Sequence, residues 1–235
     1  MTTIASRLRT VTDRLSTACQ AAGRDPASVR LLAVSKTFGD DAVSQAMAAG
    51  QLAFGENYIA EGIGKITAMR QYALLEWHCI GPVQSNKTRL VAENFDWVQS
   101  VDRLKIAQRL SEQRPPHLPP LQICLQVNVD GGANKSGVTP GELMALIQEV
   151  IKLPRLRLRG LMTLPEPAID FAAACAVHSQ AKALFDRVNS VGMLPEPMDT
   201  LSMGMTADLE PAIAAGSTMV RVGTAIFGSR QPLSG

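Results

Sequence analysis

Apolar residues recur at Ile4, Leu8, Val11, Leu15 and Ala18, a spacing that places them on one face of a helix, and Gly23 follows as a stop signal. The period then changes. Short apolar runs alternate with further helical patterns: "LLAVS" at 31–35, "LAFGE" at 52–56, "EWHCIG" at 76–81, "DWVQSV" at 96–101, "LQICLQVNV" at 121–129, "LRLRGLMT" at 156–163, "DTLSMG" at 199–204 and "STMVRVG" at 217–223. Leu143, Leu146, Ile147, Val150 and Ile151 form one helical face between them, and Phe171, Ala174, His178, Ala181, Phe185 and Val188 another. Eight strand-then-helix units predict an α/β fold, a single (β/α)8 TIM barrel over 1–235 with an extra N-terminal helix. "RPPHLPP" at 114–120 is short enough to be a helix-to-strand connector, and neither a domain boundary nor a short-period repeat interrupts the series.

In such barrels the chemistry sits at the C-terminal ends of the strands, so the polar residues there carry the functional signal. Lys36 closes the first strand, Asn57 follows the second, His78 lies within the third, and Asn128 ends the fifth. If Lys36 points inward, alternation puts Leu32 and Val34 in the barrel interior and turns Leu31 and Ala33 toward the helices. The same lysine also reads as a strand-end residue reaching solvent. "SMGMT" and "RVGT" place Ser202, Gly204, Gly223 and Thr224 directly after the seventh and eighth strands, where barrels of this kind gather backbone N–H groups for phosphate. Arg221 should point opposite to Val220 and Val222; buried, it needs an acceptor, either a structural carboxylate or a ligand. A lysine, a phosphate cradle and an arginine together suggest pyridoxal phosphate: its aldehyde takes an amine, its phosphate takes N–H donors, and its ring nitrogen takes a partner. An arginine there cannot give the ring nitrogen a stable proton, which weakens the electron sink.

Composition narrows the classes. The 235 residues are 46% hydrophobic and 19% charged, with a net charge of +2, so no strong field recruits nucleic acid or an anionic membrane. No window approaches the ~20 apolar residues of a membrane span, and the N-terminus lacks the apolar core of a signal peptide. Cys19, Cys79, Cys124 and Cys175 are widely spaced, which argues against zinc and against a disulfide scaffold and suits reduced cytoplasmic thiols. His78 shares a face with Ile80 and reads as packed core or a pocket wall. His117 and His178 have no evident dyad partner. Met203 and Met205 are expected to pack around the site, and Asp208 and Glu210 to favour the start of the following helix.

The ordered blocks "LLAVSKT", "FGENY", "HCIGPVQSNK", "VQSVD", "QVNVD…NKSG", "GLMTL", "SMGMTADLEPAI" and "VRVGTAIFG" resemble the YggS/PROSC-like pyridoxal phosphate homeostasis proteins, related to the N-terminal barrel of alanine racemase. The resemblance implies pyridoxal 5'-phosphate held as a Schiff base on Lys36, a phosphate site at Ser202, Gly204, Gly223 and Thr224, a ring-nitrogen contact at Arg221, and Asn57 facing the cofactor. Ala60 and Gly132 depart from the family pattern, which leaves the loop at 128–137, with Lys135, open to different behaviour. The function implied is holding and supplying the cofactor in the cytoplasm, as a monomer or weak homodimer, with apo-enzymes that require it as partners. An amino-acid racemase is the alternative. It would need a second base opposite Lys36, which the related racemases take from a tyrosine of a separate domain, and this chain has only Tyr58 and Tyr72. A homodimer could also lend Tyr58 or His78. A cofactor-free Schiff-base aldolase would share the lysine but leave Arg221 unexplained.

Overall fold

The computed structural model describes residues 2–132 and 136–228; Lys135 lies outside them. The first helix, α1 (Ile4–Ala21), starts at Thr3, whose hydroxyl accepts the Ser6 N–H at 3.1 Å. It stops at Gly23, which takes the left-handed φ of +66° that a helix end favours. Its apolar face buries Leu8, Val11, Leu15, Ala18 and Cys19, and each large aliphatic chain so removed from water contributes about 1.5–3 kcal/mol. The helix packs on α2 (Asp40–Ala48), α8 (Leu209–Ala214) and α9 (Thr224–Phe227), covering the join between the first and last units. Arg14 pins it there with a two-pronged contact to Glu210, at 2.5 and 2.6 Å.

The strands are β1 (Arg30–Val34), β2 (Ala53–Glu56), β3 (Glu76–Cys79), β4 (Trp97–Val101), β5 (Leu121–Gln126), β6 (Leu156–Met162), β7 (Thr200–Ser202) and β8 (Met219–Val222). They pair in parallel and in sequence order, and β8 returns to β1 to close the barrel. Between them lie α2, α3 (Ile59–Ala68), α4 (Thr88–Asn94), α5 (Leu104–Gln113), α6 (Leu143–Val150), α7 (Phe171–Ser190) and α8. Strands β1, β2, β5 and β6 stop short of the polar residues that ended their sequence patterns. Lys36, Asn57, Asn128 and Thr163 therefore lie just past the hydrogen-bonded ladder, where the chain is turning.

Side-chain alternation sorts two cores. Leu32, Ala53 and Met219 meet Ile80 inside the barrel, and Trp97, Cys124 and Met162 form a second, separate group there. Ala33, Phe54, Trp77, Val98, Ile123, Leu161, Leu201, Val220 and Val222 face outward and join the helices in one continuous core. Arg221 lies opposite to Val220 and Val222, inside.

Several expectations change. Met203 is buried in the outer core and Met205 is exposed, so neither lines the barrel interior. His178, buried on α7, does have a partner: its Nε2 lies 2.9 Å from Asp208 Oδ2. Asp208 stands at the N-cap position of α8 but makes no capping bond from its side chain; it accepts the Met205 N–H at 2.6 Å and fixes the loop after β7. Glu210 stands in the first turn of α8, as expected, and also serves α1 through Arg14. His78 is fully enclosed by the barrel and cannot be lent across an interface.

Candidate functional site

The closure brings β7, β8, β1 and β2 side by side, so the seven residues singled out from sequence share one stretch of the C-terminal rim. Register ties them together. Leu32 pairs with Arg221 and Ala33 with Val222, and the Arg221 N–H donates to Gly204 O at 3.0 Å. A Cβ on Gly223 would come within 3.1 Å of Val34 O, so the turn into α9 lies against the end of β1, two residues before Lys36. Gly204 has φ +91°, and a Cβ there would stand 2.4 Å from Ala212 Cβ; only glycine fits. Thr224 is exposed at the rim, Gly223 half-buried, and Asn57 half-buried directly after β2. Phe38 stacks on Phe227 at 5.3 Å between ring centres, joining the segment after Lys36 to α9.

Lys36 sits in a tight turn closed by the Phe38 N–H to Ser35 O at 3.1 Å. The third residue of that turn, Thr37, has φ +69°, a conformation that normally calls for glycine. A buried cluster holds it. Lys65 Nζ donates to Ser35 O at 2.7 Å, to Glu56 Oε1 at 2.8 Å and to Glu61 Oε1 at 2.7 Å. Ser35 Oγ donates to Glu56 at 2.5 Å, and the Thr37 N–H donates to Glu61 at 2.6 Å. Both neighbours of Lys36 are thus gripped from behind the sheet. Strain of this kind persists only where the surroundings over-determine it. Burial raises the Glu56 carboxyl above its ordinary range, while the bonds from Lys65 and Ser35 work against that rise. The three donors of Lys65 are all committed, which makes it a structural cation.

Arg221 is 4% exposed. Its Nη1 donates to Ser202 Oγ at 2.6 Å and its Nη2 to Thr163 O at 2.8 Å; both partners are neutral, and no carboxylate among the described residues pairs with it. Burial pushes the guanidinium down to about 10, so it stays charged at neutral pH. The structural ion pair that was one reading of this residue does not form. Beside it, Thr163 Oγ1 is buried without a hydrogen-bond partner among the described residues. Ser202 is likewise enclosed, and its hydroxyl proton goes to Gln99 Oε1 at 2.6 Å. The Ser202 side chain therefore reaches Arg221 and Gln99 rather than the loop of Gly223 and Thr224.

Sequence reasoning missed Gln99, Thr163, Glu56, Glu61 and Lys65 as parts of this site. Gln99 had a signal: it alternates with Trp97 on one face of "WVQSV", and a polar side chain pointing into a barrel needs a partner. The Lys65 cluster had none, because its members come from β2, α3 and the turn after β1.

The chain matches the family model for the alanine racemase N-terminal domain over residues 7–231. It is 56% identical, over 98% of its length and 97% of the relative's, to a protein of Pseudomonas aeruginosa named pyridoxal phosphate homeostasis protein. The solved structure of PipY from Synechococcus elongatus with PLP bound is 34% identical, with a TM-score of 0.82 over 96% of this chain and all (100%) of that one. An alanine racemase from Clostridium difficile, 16% identical, shares the fold, with a TM-score of 0.70 over 94% of this chain and 57% of that one. A rim that joins Lys36, two glycine loops and a buried arginine thus occurs in a chain that belongs to the family of pyridoxal phosphate homeostasis proteins, within the alanine racemase N-terminal domain class.

Proposed function

We propose that this chain binds pyridoxal phosphate across the C-terminal ends of β7, β8, β1 and β2, and that its work is to hold and supply the cofactor inside the cell. Lys36 supplies the amine that condenses with the aldehyde. The phosphate lies on the loops of Gly204, Gly223 and Thr224, and Asn57 faces the ring. Ser202 acts through Arg221, since its own proton is committed to Gln99.

The observation that carries this reading is the buried Arg221 with only neutral partners. A charge taken out of water with neutral hydrogen-bond partners, and with Asp208 acting on it only through space, costs several kcal/mol, and a ring nitrogen presented to the guanidinium offsets part of that cost. The orphaned hydroxyl of Thr163 beside it also fits a polar ligand at this place. When bound, the cofactor supplies an aldehyde and an electron-withdrawing ring. An arginine leaves the ring nitrogen unprotonated, which suits storage better than transamination. Tyr58 and Tyr72, the tyrosines that a racemase reading would use as a second base, are 53% and 43% exposed, so within one chain neither is enclosed in a fixed position as a second base would be.

Borohydride reduction of the protein loaded with pyridoxal phosphate, followed by peptide mapping, tests the assignment. The pyridoxyl label is expected on Lys36 and absent from Lys36→Ala; a label mainly on Lys65, Lys87 or Lys135 overturns it. Thr224→Val should weaken pyridoxal phosphate far more than unphosphorylated pyridoxal, whereas equal losses would move the phosphate elsewhere. Transfer of the cofactor to an apo-enzyme, with no Lys36-dependent deuterium exchange and inversion at the α-carbon of alanine, supports supply. Rapid exchange with inversion promotes the racemase.

A further inference from the structure

A single file of hydrogen bonds runs through the barrel from its N-terminal end to Arg221. Arg30 Nη2 donates to Glu76 Oε1 at 2.8 Å, and His78 Nε2 lies 2.7 Å from the same oxygen. His78 Nδ1 meets Gln99 Nε2 at 2.9 Å, Ser202 Oγ meets Gln99 Oε1 at 2.6 Å, and Arg221 Nη1 meets Ser202 Oγ at 2.6 Å. His78, Gln99 and Ser202 are completely buried.

The ends of the file dictate its direction. A guanidinium can only donate, so Ser202 Oγ accepts from Arg221 and must pass its own proton on. The acceptor is the carbonyl oxygen of Gln99, which turns the amide nitrogen toward His78. His78 Nδ1 then has to be an acceptor, which leaves the proton on Nε2, aimed at a carboxylate that can only accept. Every orientation agrees with the next, and no donor faces a donor. Burial lowers the His78 imidazole below its ordinary value despite Glu76, in keeping with the neutral ring the file requires. The ring is also held flat against Trp97, with centres 5.0 Å apart, and the other face of the guanidinium's surroundings is fixed by Thr163 O on Nη2.

We propose that Gln99 and His78 are positioning residues for Arg221: the file locks the Ser202 hydroxyl as an acceptor and so fixes the plane in which the guanidinium meets the cofactor's ring nitrogen. This rests on the reading of Arg221 as the ring-nitrogen contact. Without Gln99 the Ser202 proton has no fixed acceptor and can turn toward the guanidinium, which weakens one of the two bonds that set its orientation.

The test compares pyridoxal phosphate with its carbocyclic analogue, in which the ring nitrogen is replaced by CH while aldehyde and phosphate remain. Dissociation constants are read from the bound chromophore for wild type, Gln99→Leu, His78→Phe and Arg221→Met. Wild type should prefer pyridoxal phosphate by on the order of tenfold or more, the worth of one hydrogen bond to a charged group. Arg221→Met should abolish the preference, Gln99→Leu should reduce it several-fold with little change for the analogue, and His78→Phe should reduce it less. Equal weakening of both ligands by Gln99→Leu and His78→Phe would show a merely structural role and overturn the proposal. A wild type without any preference would instead overturn the ring-nitrogen reading of Arg221, and the inference with it. Should Gln99→Leu fail to fold, His78→Phe, which retains the stack on Trp97, carries the same comparison.

Discussion

Replacing Lys65 by methionine should uncouple the Lys36 turn from the barrel. Lys65 is 5% exposed and Glu56 not at all, so the substitution leaves a carboxylate enclosed without its cation and frees Ser35 O. Removing one member of a buried pair costs about 3–5 kcal/mol, which is a third or more of the stability of many domains. For a chain of this size that corresponds to a melting point lower by roughly 6–20 °C. The loss should depend on pH. Burial already raises the Glu56 carboxyl, and without Lys65 it rises further. A carboxyl whose pKa is higher in the folded than in the unfolded state destabilises fully above its folded value, and the penalty fades as pH falls toward the unfolded value of about 4.3. The gap between Lys65→Met and wild type should therefore narrow from pH 7 to pH 5, and adding Glu56→Gln should restore much of it. Urea unfolding of all three proteins at both pH values gives the numbers, and borohydride trapping on Lys36 should fall in parallel with stability. A single variant that loses less than about 1 kcal/mol at pH 7 would refute the reasoning, because it would mean that the enclosed pair carries no more than a surface one.

Three further outcomes follow from particular contacts. Gly204→Ala meets both a left-handed φ and Ala212 Cβ at 2.4 Å, so differential scanning calorimetry should record a loss of about 1–3 kcal/mol or more. Thr37→Gly relieves strain worth about 1–3 kcal/mol against an entropic cost of roughly 0.5–1, so the unliganded protein should melt at the same temperature or higher, while trapping on Lys36 becomes slower because the turn is looser. Burial pushes the thiols of Cys79 and Cys124 up to about 12, so iodoacetamide at pH 8 should modify the half-buried Cys175 first and spare those two until the protein unfolds, as read by mass spectrometry.

Local pattern along the chain is enough for the barrel and the rim. Eight apolar runs separated by helical faces leave few other ways to bury both sides of each strand, and the period of two is enough to place Arg221 opposite to Val220 and Val222. The same logic put Lys36, Gly204, Gly223 and Thr224 just past strand ends. Tertiary structure alone decided what those residues touch. Thr37 breaks the local rule for its turn, and only Glu61 and Lys65, brought in from α3, explain how it is held. Ser202 looked like one more hydroxyl in a phosphate loop, yet barrel closure sets it against Gln99, 103 positions away in the chain, and against Arg221. Local pattern records which face a side chain takes, because that depends on neighbours one or two residues away. Partners across a barrel depend on strand register and closure, and these are settled by the packing of the whole chain.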